Sequence, residues 1–462
     1  MSDADLVVRG GFVVTPDGVG CADVVVREGI VVEVTPSASA RAVTEIDATG
    51  LHVFPGLIDS HVHFDEPGRT EWEGISSGTA ACAAGGVTTF IDMPLNSTPP
   101  LTDVAAFDAK HAAAARSALV DFGFWAGLVP GALSSLPTLA QRGAVGFKAF
   151  SCDSGIDDFA RADDLTLLEG MGRCAELGLP VLLHAENAEI VQGLGARARA
   201  KGRRGVRDFA ASRPAIAEVE AIARALLFAE ETGCALHIVH ISTAAGVRLV
   251  SDARRRGVDA SCETCPHYLL FTEEDMDRLG ILVKSAPPPR TAADRDALWE
   301  GIADGSVAMV VSDHSPGPPE MKVGEDYFAM WGGVSGCQST LGLLLAHGHA
   351  KRGLALETIA AVTAGNIAER FGLPGKGAVA AGNHADLVLV DLTSEGIVGA
   401  DELLYRHPTS CFVGSARKGR IARTLVRGRT VFADGRVVGS AAGRLVVPRR
   451  AGPAPGGSTG AE

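Results

Sequence analysis

The sequence predicts an α/β protein in which a central (β/α)₈ barrel is accompanied by one small β domain built from both chain ends. Three observations carry this. Eight short apolar runs alternate with Ala-, Leu- and Arg-rich stretches of helical character between residues 54 and 379, the pattern of parallel βα units. A second grammar, of β-branched runs broken by Asp-Gly and Arg-Gly turns, occupies both ends of the chain and neither end alone holds enough strands for a domain. Finally, the polar residues that interrupt the central runs fall near their C-terminal ends, the rim on which barrels of this class carry their chemistry.

Taken in order, DLVVRGGFVVTPDG and ADVVVREGIVVEVTP open the chain as strands separated by turns. The eight central runs are FPGLIDSHVHF (54–64), TTFIDMP (88–94), DFGFWAGL (121–128), AVGFKAF (144–150), PVLLHAE (180–186), ALHIVHI (235–241), DASCETC (259–265) and VAMVVSDH (307–314). Helices are expected between them, over 74–84, 213–232 and 291–303 among others. ADLVLVDL (385–392) and RTLVRGRTVFADGRVV (423–438) return to the β grammar. The expected division is therefore 1–53 with 380–445 as the composite β domain, 54–379 as the barrel, and the Gly/Pro/Ser-rich 446–462 as a disordered tail.

With 462 residues, 46% hydrophobic and 21% charged, the chain has the apolar content of a folded protein. A net charge of −13 argues against general nucleic-acid binding, which needs basic residues to displace condensed counterions. The N-terminus lacks a basic and then apolar leader, and no uncharged apolar run reaches the ~20 residues of a membrane span. A soluble, cytoplasmic protein with no membrane partner is expected. Nine scattered cysteines do not form a disulfide framework, and Cys262 and Cys265 form a lone C-x-x-C without a second pair to complete a zinc knuckle.

A barrel strand is buried on both faces and should read as continuous apolar sequence. His61 and His63, Lys148, His184, His240 and Asp313 break that rule in five different runs. The i, i+2 spacing of His61 and His63 projects both imidazoles to one face of a strand, where they can grip one ion. Lys148, inside GFKAF, would sit unpaired in an apolar wall with a depressed pKa. A neutral amine there can take up carbon dioxide as a carbamate, an anionic bridge between two cations. Imidazoles with two carboxylate-like groups suit two divalent ions, zinc first, with manganese, cobalt or iron as alternatives. Such a pair can bind a hydroxide between them and polarise a carbonyl, which is hydrolytic chemistry.

These residues lie in longer segments: PGLIDSHVHFDEPGRTEWEG (55–74), GGVTTFIDMPLNSTPP (85–100), GFKAFSCDSG (146–155), HAEN (184–187), HIVHIST (237–243), ETCPHYL (263–269), VVSDHSPGPPEMK (310–322) and WGGVSG (331–336). Together they resemble the cyclic amidohydrolase group of the amidohydrolase superfamily, and within it the allantoinases. The resemblance implies a TIM barrel with a small β-sandwich, and metal-dependent hydrolysis of the cyclic amide of allantoin to allantoate. It implies that His61 and His63 bind the more buried ion and His184 and His240 the more exposed one. N6-carboxylated Lys148 would bridge them, and Asp313 would ligate the first ion while shuttling the proton of the bridging hydroxide. Asn96 takes the family position of a substrate contact, and Ser285, Ala286 and Gly333 are candidates for backbone contacts. A homotetramer is the expected assembly, and allantoin, a neutral small molecule, the expected partner.

Discrimination among relatives rests on fewer residues. Dihydroorotases resemble the chain but carry arginine at the position of Asp65, to hold a substrate carboxylate that allantoin lacks. Allantoinases commonly have asparagine there, so Asp65 is a departure. Hydantoinases and dihydropyrimidinases place a tyrosine soon after the bridging lysine, where this chain has FSCDSG. Cys152 in that segment is either a pocket residue or a plain loop cysteine, and Arg69 is read as organising its loop. A non-catalytic assembly protein on the same fold is the alternative from another class, disfavoured because all six ligand positions are filled.

Overall fold

A computed structural model describes residues 4–450. The eight central runs form one sheet in chain order, Leu57–Val62, Val87–Asp92, Asp121–Gly127, Gly146–Phe150, Val181–His184, Leu236–Ile238, Ala260–Thr264 and Met309–Val310. Every pairing within it is parallel, so each strand needs a crossover, and helices such as Ile75–Gly85, Val104–Ser117, Ala215–Thr232 and Ala292–Asp304 supply it. The sheet curls until its edges meet. Val62 and His314 form a parallel bridge, and the His63 N–H donates to the His314 carbonyl at 2.7 Å.

Burial explains the apolar runs: each of these strands is buried along its whole length. Phe64, Phe90, Phe122 and Phe124 form a chain of ring contacts at centroid distances of 4.8–6.2 Å. Trp125 donates its indole N–H to the Ser60 carbonyl at 2.8 Å, so its polar atom is not stranded in the core. Short strand-to-helix turns end on a cap: the side chains of Asn187 and Thr243, three and five residues after the strands Val181–His184 and Leu236–Ile238 end, accept from the N–H of Ile190 and Gly246.

The run 54–64 is not one strand. It breaks at Gly56, with His52–Pro55 in a second sheet and Leu57–Val62 in the barrel. A side chain at Gly56 would lie 2.1 Å from Thr88 Oγ1, so only glycine allows the chain to pass from one sheet to the other this close to the second barrel strand.

The second sheet has nine strands, among them Ala4–Thr15, Gly18–Arg27, Leu387–Ile397 and Ala416–Val426. His52–Pro55 pairs antiparallel with Leu387–Ile397, with Val53 opposite Leu389. Three of its turns, Glu28-Gly29, Arg427-Gly428 and Asp434-Gly435, have both central residues at positive φ, as type I′ hairpins require. Leu6, Val8, Val24, Val26, Leu387, Leu389 and Leu425 share a core separate from that of the barrel.

Below the barrel, the buried Lys376 ammonium bridges Asp121 Oδ2 at 2.7 Å and Asp386 Oδ2 at 2.5 Å. Arg427 joins them, its N–H to Asp386 Oδ1 at 2.7 Å and its guanidinium on Asp121. The stretch 442–446 runs alongside the third barrel strand, with the Phe122 N–H on Arg444 O and the Val446 N–H on Phe122 O. Of the tail expected over 446–462, residues 446–450 are therefore held: Arg449 N–H donates to Gly372 O and Arg450 to Ala140 O. Residues 451–462 lie outside the described residues.

Candidate active site

The six polar interruptions converge at the C-terminal rim. His61 Nε2 is 3.2 Å and His63 Nε2 3.6 Å from Asp313 Oδ1, and the three residues offer ligand atoms close enough to share one ion. His184 Nδ1 and His240 Nε2 face each other at 3.0 Å. The His61 and His240 rings lie 5.4 Å apart and join the two groups. Asn96, His240 and Asp313 all have positive φ, 70°, 37° and 47°, backbone conformations that cost energy outside glycine and collect at functional sites.

What aims the imidazoles is the occupancy of their other nitrogen. His61 Nδ1 is held by Glu263 Oε1 at 2.5 Å, and Glu263 is held in turn by His237 Nε2 at 3.0 Å, whose Nδ1 meets Ser261 Oγ at 2.7 Å. His184 Nε2 is held by Glu186 Oε2 at 2.8 Å, with Arg213 on the same carboxylate. His63 Nδ1 is held by Asn96 Nδ2 at 3.3 Å. Each of the three therefore turns its free nitrogen toward the shared space, the arrangement that orients metal ligands.

The electrostatics agree. Burial, then the charge of Lys148, keeps His61 well below the usual imidazole range, and burial keeps His184 and His240 down as well, so they are neutral and able to ligate. Burial pushes Lys148 down to about 8, and its Nζ has no hydrogen-bond partner among the described residues, lying 4.9 Å from the Phe150 ring. Burial raises Glu186, but Arg213 and His184 outweigh it and hold the carboxyl down to about 2. An unpartnered buried amine beside neutral imidazoles and Asp313 fits a site for divalent cations: in its neutral form the amine could take up carbon dioxide with loss of a proton, and the cations would balance the resulting anion.

A cavity of 390 Å³ opens above this floor, and its lining includes His61, His63, His184, His240 and Asp313. Asn96, Ser285, Ala286 and Gly333 also line it. Ser285 Oγ donates to Pro287 O at 2.9 Å. Gly333 has its N–H on Lys284 O and its carbonyl on Lys322 Nζ, and a side chain there would meet Ser315 O at 1.9 Å. Other residues singled out in the sequence sit apart from the cavity. Cys152 is fully buried against the Glu186–Arg213 pair, and Asp65 is buried behind the floor with Asp92 and Glu73 nearby. Arg69 donates to Asn96 O at 3.0 Å and covers the Trp72 ring, which is loop organisation. Cys262 is buried and directs its Sγ to Ser306 O.

A model of the amidohydrolase family matches residues 52–431 of the chain. The chain belongs to this family. Among its amidohydrolase relatives is an allantoinase of Rubrobacter xylanophilus, 56% identical over 97% of this chain and 99% of its own length. An allantoinase of Deinococcus radiodurans is 48% identical over 96% and 99%. Among solved structures, the L-hydantoinase (dihydropyrimidinase) from Arthrobacter aurescens superposes with a TM-score of 0.93 at 35% identity, covering 97% of this chain and all of that one.

Four members of the site were not singled out in the sequence: Glu263, His237, Glu186 and Arg213. Glu263 and His237 lie inside apolar barrel strands, so the rule that exposed Lys148 applies to them. Glu186 and Arg213 lie in loops after the fifth strand and before the helix Ala215–Thr232, where a charged residue carries no such signal.

Proposed function

We propose that the protein is an allantoinase, hydrolysing the cyclic amide of allantoin to allantoate with two divalent metal ions, zinc first among them. The observation that carries this reading is the convergence of His61, His63, His184, His240 and Asp313 on one cavity floor, with the fully buried Lys148 close enough to act on His61 and His240, in a chain whose relatives at 56% and 48% identity are named allantoinases. His61, His63 and Asp313 would hold one ion and His184 and His240 the other, and Lys148, as its N6-carboxylate, would supply an anionic ligand to both. When bound, the ions supply an acidified water and a polarised amide carbonyl.

The chain's own residues do the rest. Asp313, at the mouth of the floor, takes the proton of the attacking water and delivers it to the ring nitrogen as the C–N bond breaks, so that water adds across that bond. Asn96, Ser285, Ala286 and Gly333 border the cavity and contact the ring, Gly333 through the free lone pair of its carbonyl. Neutral walls at these positions suit an uncharged ureide. The nine-stranded sheet, whose strands run within 4–55 and 387–437, is a separate sandwich-like domain, and the assembly is a cytoplasmic homotetramer.

Metal analysis with a panel of allantoin, hydantoin, dihydrouracil and dihydroorotate tests the reading. About two ions per chain and preferred turnover of allantoin are expected; faster turnover of another ring overturns the substrate. Lys148→Ala abolishes turnover and lowers metal content, and a variant that kept both would refute the carbamate.

A further inference from the structure

Lys284 precedes Ser285 and has no part in the chemistry above. It is buried, and it forms no ion pair among the described residues. Its ammonium is instead enclosed by the backbone carbonyls of Tyr327 at 2.6 Å, Phe328 at 3.4 Å and Met330. Three N–H donors meet three acceptors. The rings of Phe209 and Tyr327 stand 4.9 and 5.1 Å from Nζ and close the cage. The carbonyl of the same residue accepts the Gly333 N–H at 2.7 Å.

All of these acceptors and the donor lie in the loop 315–333. The loop leaves the last barrel strand next to Asp313 and returns beside it, where the Ser315 N–H donates to Val334 O at 3.0 Å. Residues 328–333 all line the cavity and form part of its wall. Lys322 adds one bond inside the loop, to Gly333 O at 2.8 Å. On the outside, Tyr327 is tied to Arg204 O and Gly280 O. One side chain thus gathers three inner carbonyls of a segment that otherwise has only local turn bonds, among them Met330 N–H to Asp326 O and Trp331 N–H to Met321 O, and the Lys322 bond. A buried ammonium is costly unless each N–H is satisfied, so these carbonyls and this lysine hold one another in place.

We infer that Lys284 is a positioning residue that latches the 328–333 wall and so determines which ring substituents the cavity accepts, without touching the reacting amide. The inference rests on the cyclic-amide reading for its substrates but not for its geometry. Lys284→Met keeps the length of the side chain and removes all three donors. For this variant KM for allantoin rises about tenfold while kcat stays within about threefold. Preference between hydantoins with and without a substituent on the ring carbon shifts by a similar factor, and metal content is unchanged. Lys284→Arg, which retains the charge, recovers part of the selectivity. Loss of kcat at constant KM, or an equal loss for both classes of hydantoin, overturns the inference.

If the methionine variant fails to fold, Lys322→Met, which removes one wall contact, shifts KM and selectivity in the same direction by less; unchanged selectivity then overturns it. Hydrogen exchange separates the latch from the functional reading. Amides of 327–333 exchange at least about tenfold faster in whichever of the two variants folds than in the wild type, even if the wild type hydrolyses none of the rings, and unaltered protection refutes the latch.

Discussion

Glu263 illustrates how a residue that never lines the cavity controls one that does. Its two oxygens hold His61 and His237, and burial pushes its carboxyl up to about 8. Glu263→Gln keeps the shape but offers one acceptor where two are used, so metal affinity falls about 10- to 100-fold. Competition with a chelator of known affinity measures this; unchanged affinity would show that His61 is aimed by packing alone. The six candidate ligands were legible because each is a polar residue in or just beyond a buried strand, an anomaly visible in the sequence itself. Glu263 obeys the same logic, but it lies between Cys262 and Cys265, and the reading of that run weighed and set aside only the C-x-x-C spacing. Arg213 and Lys284 gave no such anomaly. A charge in a loop is ordinary, and their partners, a carboxylate 27 residues away and carbonyls 43 to 46 residues away, are set by tertiary folding.

At the scale of elements, the break at Gly56 decides where the barrel begins. The run from 54 to 64 reads as one apolar strand because both sheets bury it, and periodicity cannot tell burial in one sheet from burial in two. The Pro55-Gly56 pair inside it was the available sign. Gly56→Val places side-chain atoms on Thr88 and destabilises the protein by about 1–3 kcal/mol or more. Thr88→Ala in the same chain restores part of that loss, as urea titration of the wild type, the two single variants and the double variant would show. Additive effects of the two substitutions would mean that the contact with Thr88 is not the cause.

Across the whole molecule, the bottom of the barrel and the nine-stranded sheet meet at the Asp121–Lys376–Asp386–Arg427 cluster. Burial raises Asp121, yet Lys376 and Arg427 together outweigh it and hold its carboxyl below the ordinary 3.8. A depressed carboxyl contributes stability that is present above 3.8 and is lost as pH falls through its folded value. Lys376→Met leaves two buried carboxylates short of a partner and costs about 3–5 kcal/mol. Its acid unfolding begins at higher pH than that of the wild type, and circular dichroism followed from pH 7 downward detects the shift. Coincident acid transitions would place the stabilisation elsewhere. This cluster was invisible in sequence because its members are 10 to 306 residues apart.

The pairing of His52–Pro55 with Leu387–Ile397 also sets a timetable. During translation at about 5–20 residues per second, the first five strands of the nine-stranded sheet leave the ribosome roughly 20–80 s before the strands that complete it. Throughout that interval the edge at 52–55 is an open template for any other nascent chain. Ribosome-bound chains stalled at residue 379 should therefore expose 4–55 to protease, while chains extended past residue 437 protect it. Protection already present at 379 would mean that the early strands fold without their late partners.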